Sequence, residues 1–358
     1  MLFYVIAISV IIVSALPFIS HQHWFFRVWD FGRIQLLVLL ALCFCLSFVW
    51  SKNNSFFLVM LQLLLLAFIV YNCWVLAPYT RFYKKEGKCF SHDELKDEVS
   101  IISVNVYQFN KRFDTLIQLV NTIAPDILLT MESNEDWEKG LVPLEKDFPY
   151  WHKIALENTY GMHFYSKLRI VKATTNYFVA DDIPSFEIIL ETKEKQFFTF
   201  FGVHPPPPNP TEEENSKERD GELLAVAKKV KASNYPVIVS GDFNNVAWAK
   251  SSVLFKKKSG LIDPRIGRGF VSTFHAKYKL LRFPIDLFFH SEDVFIQEFK
   301  TLASIGSDHL PLFCKFVITY SSKKEKEDKL DNEEEDEIEE MITEGRNEES
   351  DRKAVAEE

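Results

Sequence analysis

The chain has 358 residues, 47% hydrophobic and 25% charged, with a formal net charge of −9. That length accommodates one domain of about 200 to 250 residues beside a second, smaller region. Cys43, Cys45 and Cys73 lie in apolar runs, while Cys89 and Cys314 have no CxxC or Cys/His spacing, which excludes a disulfide framework and a cysteine-based zinc site. Net charge decides nothing about a phosphate-rich partner, because residues 321–358 hold 17 acidic and 7 basic side chains and leave the rest of the chain near +1.

In chain order, residues 2–18, 34–50 and 56–76 are uncharged apolar runs, the last long enough to cross a hydrocarbon layer of about 30 Å. Together they predict a membrane anchor of about three transmembrane helices over 1–78, followed by a linker over 79–97. The first run has neither a basic n-region nor a small-residue cleavage site, so it reads as a span rather than a signal peptide. With three spans, Arg27, Arg33, Arg81, Lys84 and Lys85 share the side of the following domain against Lys52 opposite. The positive-inside rule then favours a multi-pass protein whose domain is cytoplasmic.

From residue 98 the texture is that of an α/β protein. Residues 99–106 and 126–131 are buried-strand patterns, and Phe113, Leu116, Ile117, Val120 and Ile123 form one helical face. Further strands are predicted at 161–165, 185–191, 196–203, 236–240, 285–290 and 310–318, with a helix over 213–230. Strands outnumber helices, which predicts two packed sheets flanked by helices over 98–320. The acidic residues 321–358 read as a disordered tail or a solvated helix, with no partner assigned.

Polar residues sit repeatedly at the ends of the apolar strands. Asn105 interrupts the first and Glu132 closes the second, where a carboxylate can bind a hard divalent cation. His204 leaves a strand ahead of four prolines and could donate to a phosphate oxygen. Gly241-Asp242-Phe243-Asn244 ends the strand at 236–240, with Asp242 and Asn244 spaced to share a face. A carboxylate there can orient or deprotonate a water, and the amide can bond the charge that builds on phosphorus oxygens. Asp286 sits in another strand, and Ser307-Asp308-His309 precedes the last, so that an Asp–His acid/base pair is available.

In this order, Asn105, Glu132, His204, Asp242 with Asn244, Asp286, and Asp308 with His309 resemble the endonuclease/exonuclease/phosphatase superfamily. The resemblance implies a four-layer α/β sandwich of the deoxyribonuclease I-like kind over residues 99–318. It implies a Mg²⁺ or Mn²⁺ site at Asn105, Glu132 and Asp308, with Glu132 the principal ligand. Asp242 resembles the residue that positions the attacking water, Asn244 and His204 the donors to the scissile phosphate, and His309 with Asp286 the catalytic histidine and its carboxylate partner. Met131-Glu132 and Asp286-Leu287 stand where many relatives have Gln-Glu and Asp-His. Three apolar runs ahead of this domain also resemble bacterial membrane members of the superfamily, in which the domain can face outward.

The function expected is that of a membrane-anchored phosphoesterase acting on a phosphodiester or phosphomonoester. Its substrate would be nucleic acid, as for an endonuclease, or a phospholipid, inositol phosphate or soluble phosphoester, and its other partner the lipid bilayer. A catalytically silent membrane binding module is the alternative of a different class. Lys256, Lys257 and Lys258 are the one concentrated basic patch, which weighs against a processive nuclease.

Overall fold

The computed structural model describes residues 2–50, 55–86, 98–210, 212–319 and 330–348. Lys52, Cys89, most of the expected linker and both ends of the expected tail lie outside the described residues.

Two sheets face each other. The first contains six strands in the order β10 (Val294–Thr301), β11 (Leu312–Ile318), β1 (Glu98–Asn105), β2 (Ile127–Met131), β4 (Met162–Ser166) and β3 (Tyr150–Ile154). The second contains five: β5 (Arg169–Asn176), β6 (Ser185–Glu191), β7 (Phe197–Val203), β8 (Val237–Asp242) and β9 (Asp286–His290). Within each sheet one pair is parallel, β1 with β2 and β7 with β8, and the other pairs are antiparallel.

The alternation of side chains across a strand sorts the core into layers. Val99, Ile101, Ile127, Leu129 and Met131 point between the sheets, where they meet Ile188, Phe200 and Ile238. Ile102, Val104 and Leu128 point outward and are covered by Leu116 and Val120 of α5 (Phe113–Ile123) and Trp137 of α6 (Glu135–Gly140). On the far side, Phe201, Val203, Val239 and Leu287 are covered by Leu223 and Val226 of α7 (Lys217–Lys231) and Phe255 of α8 (Lys250–Ser259). The result is a four-layer α/β sandwich. Each fully buried Leu, Ile or Phe contributes roughly 1.5–3 kcal/mol.

The expectation of a disordered or solvated tail is corrected for one segment. Asn332–Asn347 is a helix, α9, opened by a capping box between Asp331 and Glu334. Its Ile338, Met341 and Ile342 pack on Leu224, Ala225 and Leu254 of α7 and α8. Acidic residues of the same helix reach lysines on the domain, pairing Glu334 with Lys257, Glu335 with Lys258, Glu337 with Lys250 and Glu339 with Lys228.

At the N-terminus lie α1 (Leu2–Ala15), α2 (Trp24–Phe31), α3 (Arg33–Trp50) and α4 (Phe56–Leu76). Of the three expected spans, one is a single helix long and apolar enough to cross a membrane, Phe56–Tyr79. The first, Leu2–Phe18, is shorter, and α3 meets the length only together with α2, from which it is bent by 75°. A Gly32 with open space around its Cα and the buried Arg33–Asp30 pair, 2.7 Å, mark that bend.

These helices rest on the sandwich. Leu76, Tyr79, Phe31, Ile34 and Leu37 share an apolar cluster with Val246, Trp248, Phe274, Phe283 and Ile285. The Trp248 indole N–H donates to the Asp30 carbonyl at 2.7 Å, and the Gly267 N–H donates to the Pro78 carbonyl at 2.9 Å.

Candidate active site

The register of the strands brings the candidate residues together. Asn105 pairs with Met131 at the parallel ends of β1 and β2, so Glu132 follows directly. Val203 pairs with Gly241 at the parallel ends of β7 and β8, which sets His204 beside Asp242. A side chain at 241 would lie 1.9 Å from the Val203 carbonyl oxygen, so the close approach requires glycine. Asp242 in turn pairs with Asp286, the first residue of β9.

The loop before β11 brings the last members. Gly306, with φ +97°, turns the chain against the Arg112 side chain, and the Ser307 hydroxyl then donates to the Asn105 carbonyl at 2.8 Å. The His309 N–H donates to the same hydroxyl at 3.0 Å. Seven of the eight expected residues thus line one cleft between the sheets, and six of these are held by bonds or ion contacts to one another.

His309 Nδ1 bonds Asp286 Oδ2 at 2.8 Å, and its Nε2 faces Asp242 Oδ2 at 3.6 Å. Burial pushes this imidazole down, but the charges of Asp286 and Asp242 and the Asp286 hydrogen bond outweigh it and lift it to about 10. His204, 3% exposed against the Tyr160 ring, has its Nε2 3.9 Å from Asp242 Oδ2. Here burial prevails over the Asp242 charge, and the pKa falls to about 4. At neutral pH the two histidines therefore differ in charge. Asp242 itself, 1% exposed, is raised above the ordinary carboxylate range by burial, against the opposing charge of His309.

Glu132 takes the left-handed conformation, φ 56°, and accepts from Asn105 Nδ2 at 2.8 Å and the Gln108 N–H at 3.1 Å. Its side chain keeps an edge in the cleft, yet it is so enclosed that burial lifts its pKa to about 7, with the Asp308 charge adding to the push. Both partners are neutral donors. A hard cation would supply the charge they lack, and carboxylate oxygens suit such an ion. Among the described residues, Asp242, Asp286 and His309 are another group that could hold a metal, with ligand atoms within 4.8 Å of one another. In that group His309 bonds Asp286 directly and faces Asp242, whereas the same imidazolium acts on Glu132 only as a lesser influence than burial.

Two expected residues differ in orientation. Asn105 spends its oxygen on the Tyr107 N–H at 3.0 Å, so it presents its NH₂ to Glu132 and, at 3.1 Å, to Asp242. It bridges the two carboxylates rather than offering an oxygen to a metal. Asn244 lies beyond the end of β8 at φ 48°, and its amide donates to the Pro205 carbonyl at 2.9 Å instead of sharing a strand face with Asp242. The strand stops at Asp242 because the Asn244 N–H closes an Asx-turn onto Asp242 Oδ1 at 2.9 Å.

Several supporting residues give no signal in the sequence. Gln108 bonds the Glu157 carbonyl and the Thr159 N–H, fixing the loop that serves Glu132. Phe274 packs its ring 4.9 Å from that of His309. Arg219, 2% exposed, bonds Asp220 and the Asn244 carbonyl, holding the turn after Asp242 from beneath. Ser307 is visible as part of Ser307-Asp308-His309, but its structural task is not.

A family model described as the Endonuclease/Exonuclease/phosphatase family matches residues 102–309, more than half of the chain. The chain belongs to that family. Its members are metal-dependent phosphoric ester hydrolases, and the enzyme class follows. Among solved structures, zebrafish (D. rerio) TDP2 complexed with a single-strand DNA product is 17% identical, with a TM-score of 0.53, covering 62% of this chain and 99% of its own. The human Nocturnin catalytic domain is 16% identical, with a TM-score of 0.50, covering 67% and 99%. The mannosyl-6-phosphatase Bt3783 of Bacteroides thetaiotaomicron is 20% identical, with a TM-score of 0.50, covering 62% and 100%. At these identities the likeness is one of fold. No curated protein matches the chain.

Proposed function

We propose that this family member is a membrane-anchored phosphoesterase that uses Mg²⁺ or Mn²⁺ and cleaves its ester by in-line attack of an activated water. The observation that carries this is the meeting of Glu132, Asp242, His204 and the Asp286–His309 pair in one buried cleft. Glu132, with Asp308 beside it, would hold the cation, which when bound polarises a phosphoryl oxygen and offsets the charge that builds there. Asp242, between the two imidazoles, orients the water and accepts its proton. His309, charged at neutral pH and steered by Asp286, donates from Nε2 to a phosphoryl oxygen. His204 is neutral and supplies a further donor.

The anchor reading rests on the outer faces of the N-terminal helices. Phe3, Ala7, Leu40, Leu61 and Leu65 pack α1, α3 and α4 into a bundle, while Ile12, Leu42, Phe48, Leu63 and Val70 are turned outward and exposed. Helices that are apolar on both inner and outer faces suit a lipid environment. With Phe56–Tyr79 as the spanning helix, Arg81, Lys84 and Lys85 lie on the side of the phosphoesterase domain and favour a cytoplasmic domain.

Phosphoesters at a membrane fit better than nucleic acid. The one lysine triplet is neutralised, Lys256 by Glu86, Lys257 by Glu334 and Lys258 by Glu335, whereas backbone binding draws on free cations. The test is hydrolysis by the full chain in detergent micelles of phosphoinositide or sphingomyelin, plasmid DNA and a generic bis-ester, with Mg²⁺ or Mn²⁺ and with chelator. Chelator-sensitive turnover that disappears in Asp242→Ala and in His309→Ala is expected. Activity retained by either folded variant removes the roles assigned to Asp242 and His309, and silence on every substrate favours a binding module.

A further inference from the structure

The segment between Phe274 and Phe283 carries large apolar side chains into solvent. Leu280 is 87% exposed, Tyr278 59% and Leu281 55%, and Lys277 and Lys279 beside them are exposed, with no acidic partner among the described residues. Three large apolar side chains exposed together in one short loop and rimmed by cations form a patch of the kind that marks an interaction surface.

The place of this loop is fixed at both ends. At its base, Phe274 packs on the His309 ring and the Ala276 N–H donates to the Asp308 carbonyl at 2.6 Å, so the loop continues a wall of the cleft. At its tip, the Leu280 carbonyl accepts from Gln35 Nε2 at 2.7 Å. Gln35 lies in the first turn of α3, and the next turn begins the outward apolar face with Val38, 55% exposed, followed by Leu39 and Leu42. One helical turn advances about 5.4 Å. The exposed leucines of the loop therefore stand at the level where the apolar flank of α3 starts. Trp74, 74% exposed near the domain end of α4, is an aromatic of the kind found where hydrocarbon gives way to headgroups.

We propose that residues 276–282 form a membrane-surface element, in which Leu280, Leu281 and Tyr278 enter the boundary between headgroups and acyl chains while Lys277 and Lys279 meet lipid phosphates. Short apolar tips rimmed by cations bind such surfaces through buried area plus attraction to anionic lipid. The inference rests on the anchor reading above and deepens it. Because the loop base touches Asp308 and His309, the cleft is held against the headgroup layer, and phosphoesters presented at that layer are the substrates it can reach.

The test places a photoreactive benzoylphenylalanine at position 280, 74 or 151 of the full chain, reconstituted in vesicles of phosphatidylcholine and phosphatidylglycerol carrying a tritiated phospholipid. Trp151 is exposed on β3, whose first residue Tyr150 pairs with Ser166, opposite Ile127 at the start of β2, the end of the sheet away from the cleft. Lipid adducts at 280 and 74 but not at 151 are expected. An adduct at 74 with none at 280 overturns the loop assignment and leaves the anchor. No adduct at either overturns the anchor and the loop with it. A protein–protein adduct at 280 in place of the lipid one also overturns the proposal and makes the loop an interface between chains.

Discussion

Replacing Asp286 by asparagine keeps the side-chain shape at the start of β9 and removes the charge that most strongly holds the His309 proton. Raising a buried imidazole from 6.5 to about 10 corresponds to about 5 kcal/mol of preference for the charged form. Burial is the largest single influence on His309 and acts downward; Asp286 is the largest upward influence, through both charge and hydrogen bond, with Asp242 next. In Asp286→Asn burial is opposed by Asp242 and Asp308 alone, and the imidazole pKa falls. If charged His309 donates to the phosphoryl group, the basic limb of kcat/KM, set near 10 in the parent chain, moves down towards neutrality. Stability follows with a defined sign. A group whose folded pKa is raised stabilises fully below its unfolded value of 6.5 and loses that contribution as pH climbs through about 10. The variant should thus be weaker than the parent by roughly 3–5 kcal/mol below about pH 6.5, the cost of breaking a buried pair, and the gap should narrow between about pH 6.5 and 10 and be largely gone above 10. The assay is a pH series of kcat/KM on a soluble bis-ester, with denaturant unfolding at each pH. A basic limb that stays in place in the folded variant would refute the assignment of the charge on His309 to Asp286.

Two further expectations concern residues outside the cleft. Glu222 is fully buried, accepts from the Ser185 hydroxyl at 2.7 Å and the Val179 N–H at 3.1 Å, and is raised by burial from 4.5 to about 7. Its stabilisation is complete below pH 4.5 and lost by about 7, so Glu222→Gln, whose amide can donate to the Ser185 hydroxyl, should match the parent at low pH and exceed it by about 3 kcal/mol at pH 8; equal unfolding curves at both pH values would count against a strained carboxylate. On α9, Ile338→Asp should cost about 3 kcal/mol and expose the segment to protease, because Ile338 is fully buried against α7 and α8. Glu335→Gln, which loses only a half-exposed partner of Lys258, should cost under about 1 kcal/mol, and the reverse ranking would mean that charge rather than packing docks the helix.

How much of the fold and the site is legible in the sequence depends on burial. The central strands β1, β2, β7, β8 and β11 are covered on both faces and so read as unbroken apolar runs, and their predicted ends fall within a residue or two of those observed. The strands that escape, β3, β5 and β10, all lie at sheet edges, where Arg169–Asn176 keeps polar residues in water and the hydrophobic period is lost. The same logic explains the site. A polar residue closing an apolar strand is conspicuous, and Asn105, Glu132, His204 and Asp242 stand out in that way. What strand patterns do not carry is the direction of a side chain once the strand has ended, which is why the turned amide of Asn244 and the NH₂ of Asn105 facing two carboxylates emerge only from the structure. The tail shows the opposite failure. Its charge dominates its composition, yet Ile338, Met341, Ile342 and Gly345 form an i, i+3, i+4, i+7 stripe that an average over 17 acidic residues conceals. Gly345 also has to be small, since a side chain there would lie 2.7 Å from the Lys217 carbonyl and 3.2 Å from the Gly221 Cα. That close approach lets the acidic face of α9 lie over the lysines of α7 and α8, so the segment that makes the chain acidic also pairs with Lys228, Lys250, Lys257 and Lys258 of the sandwich.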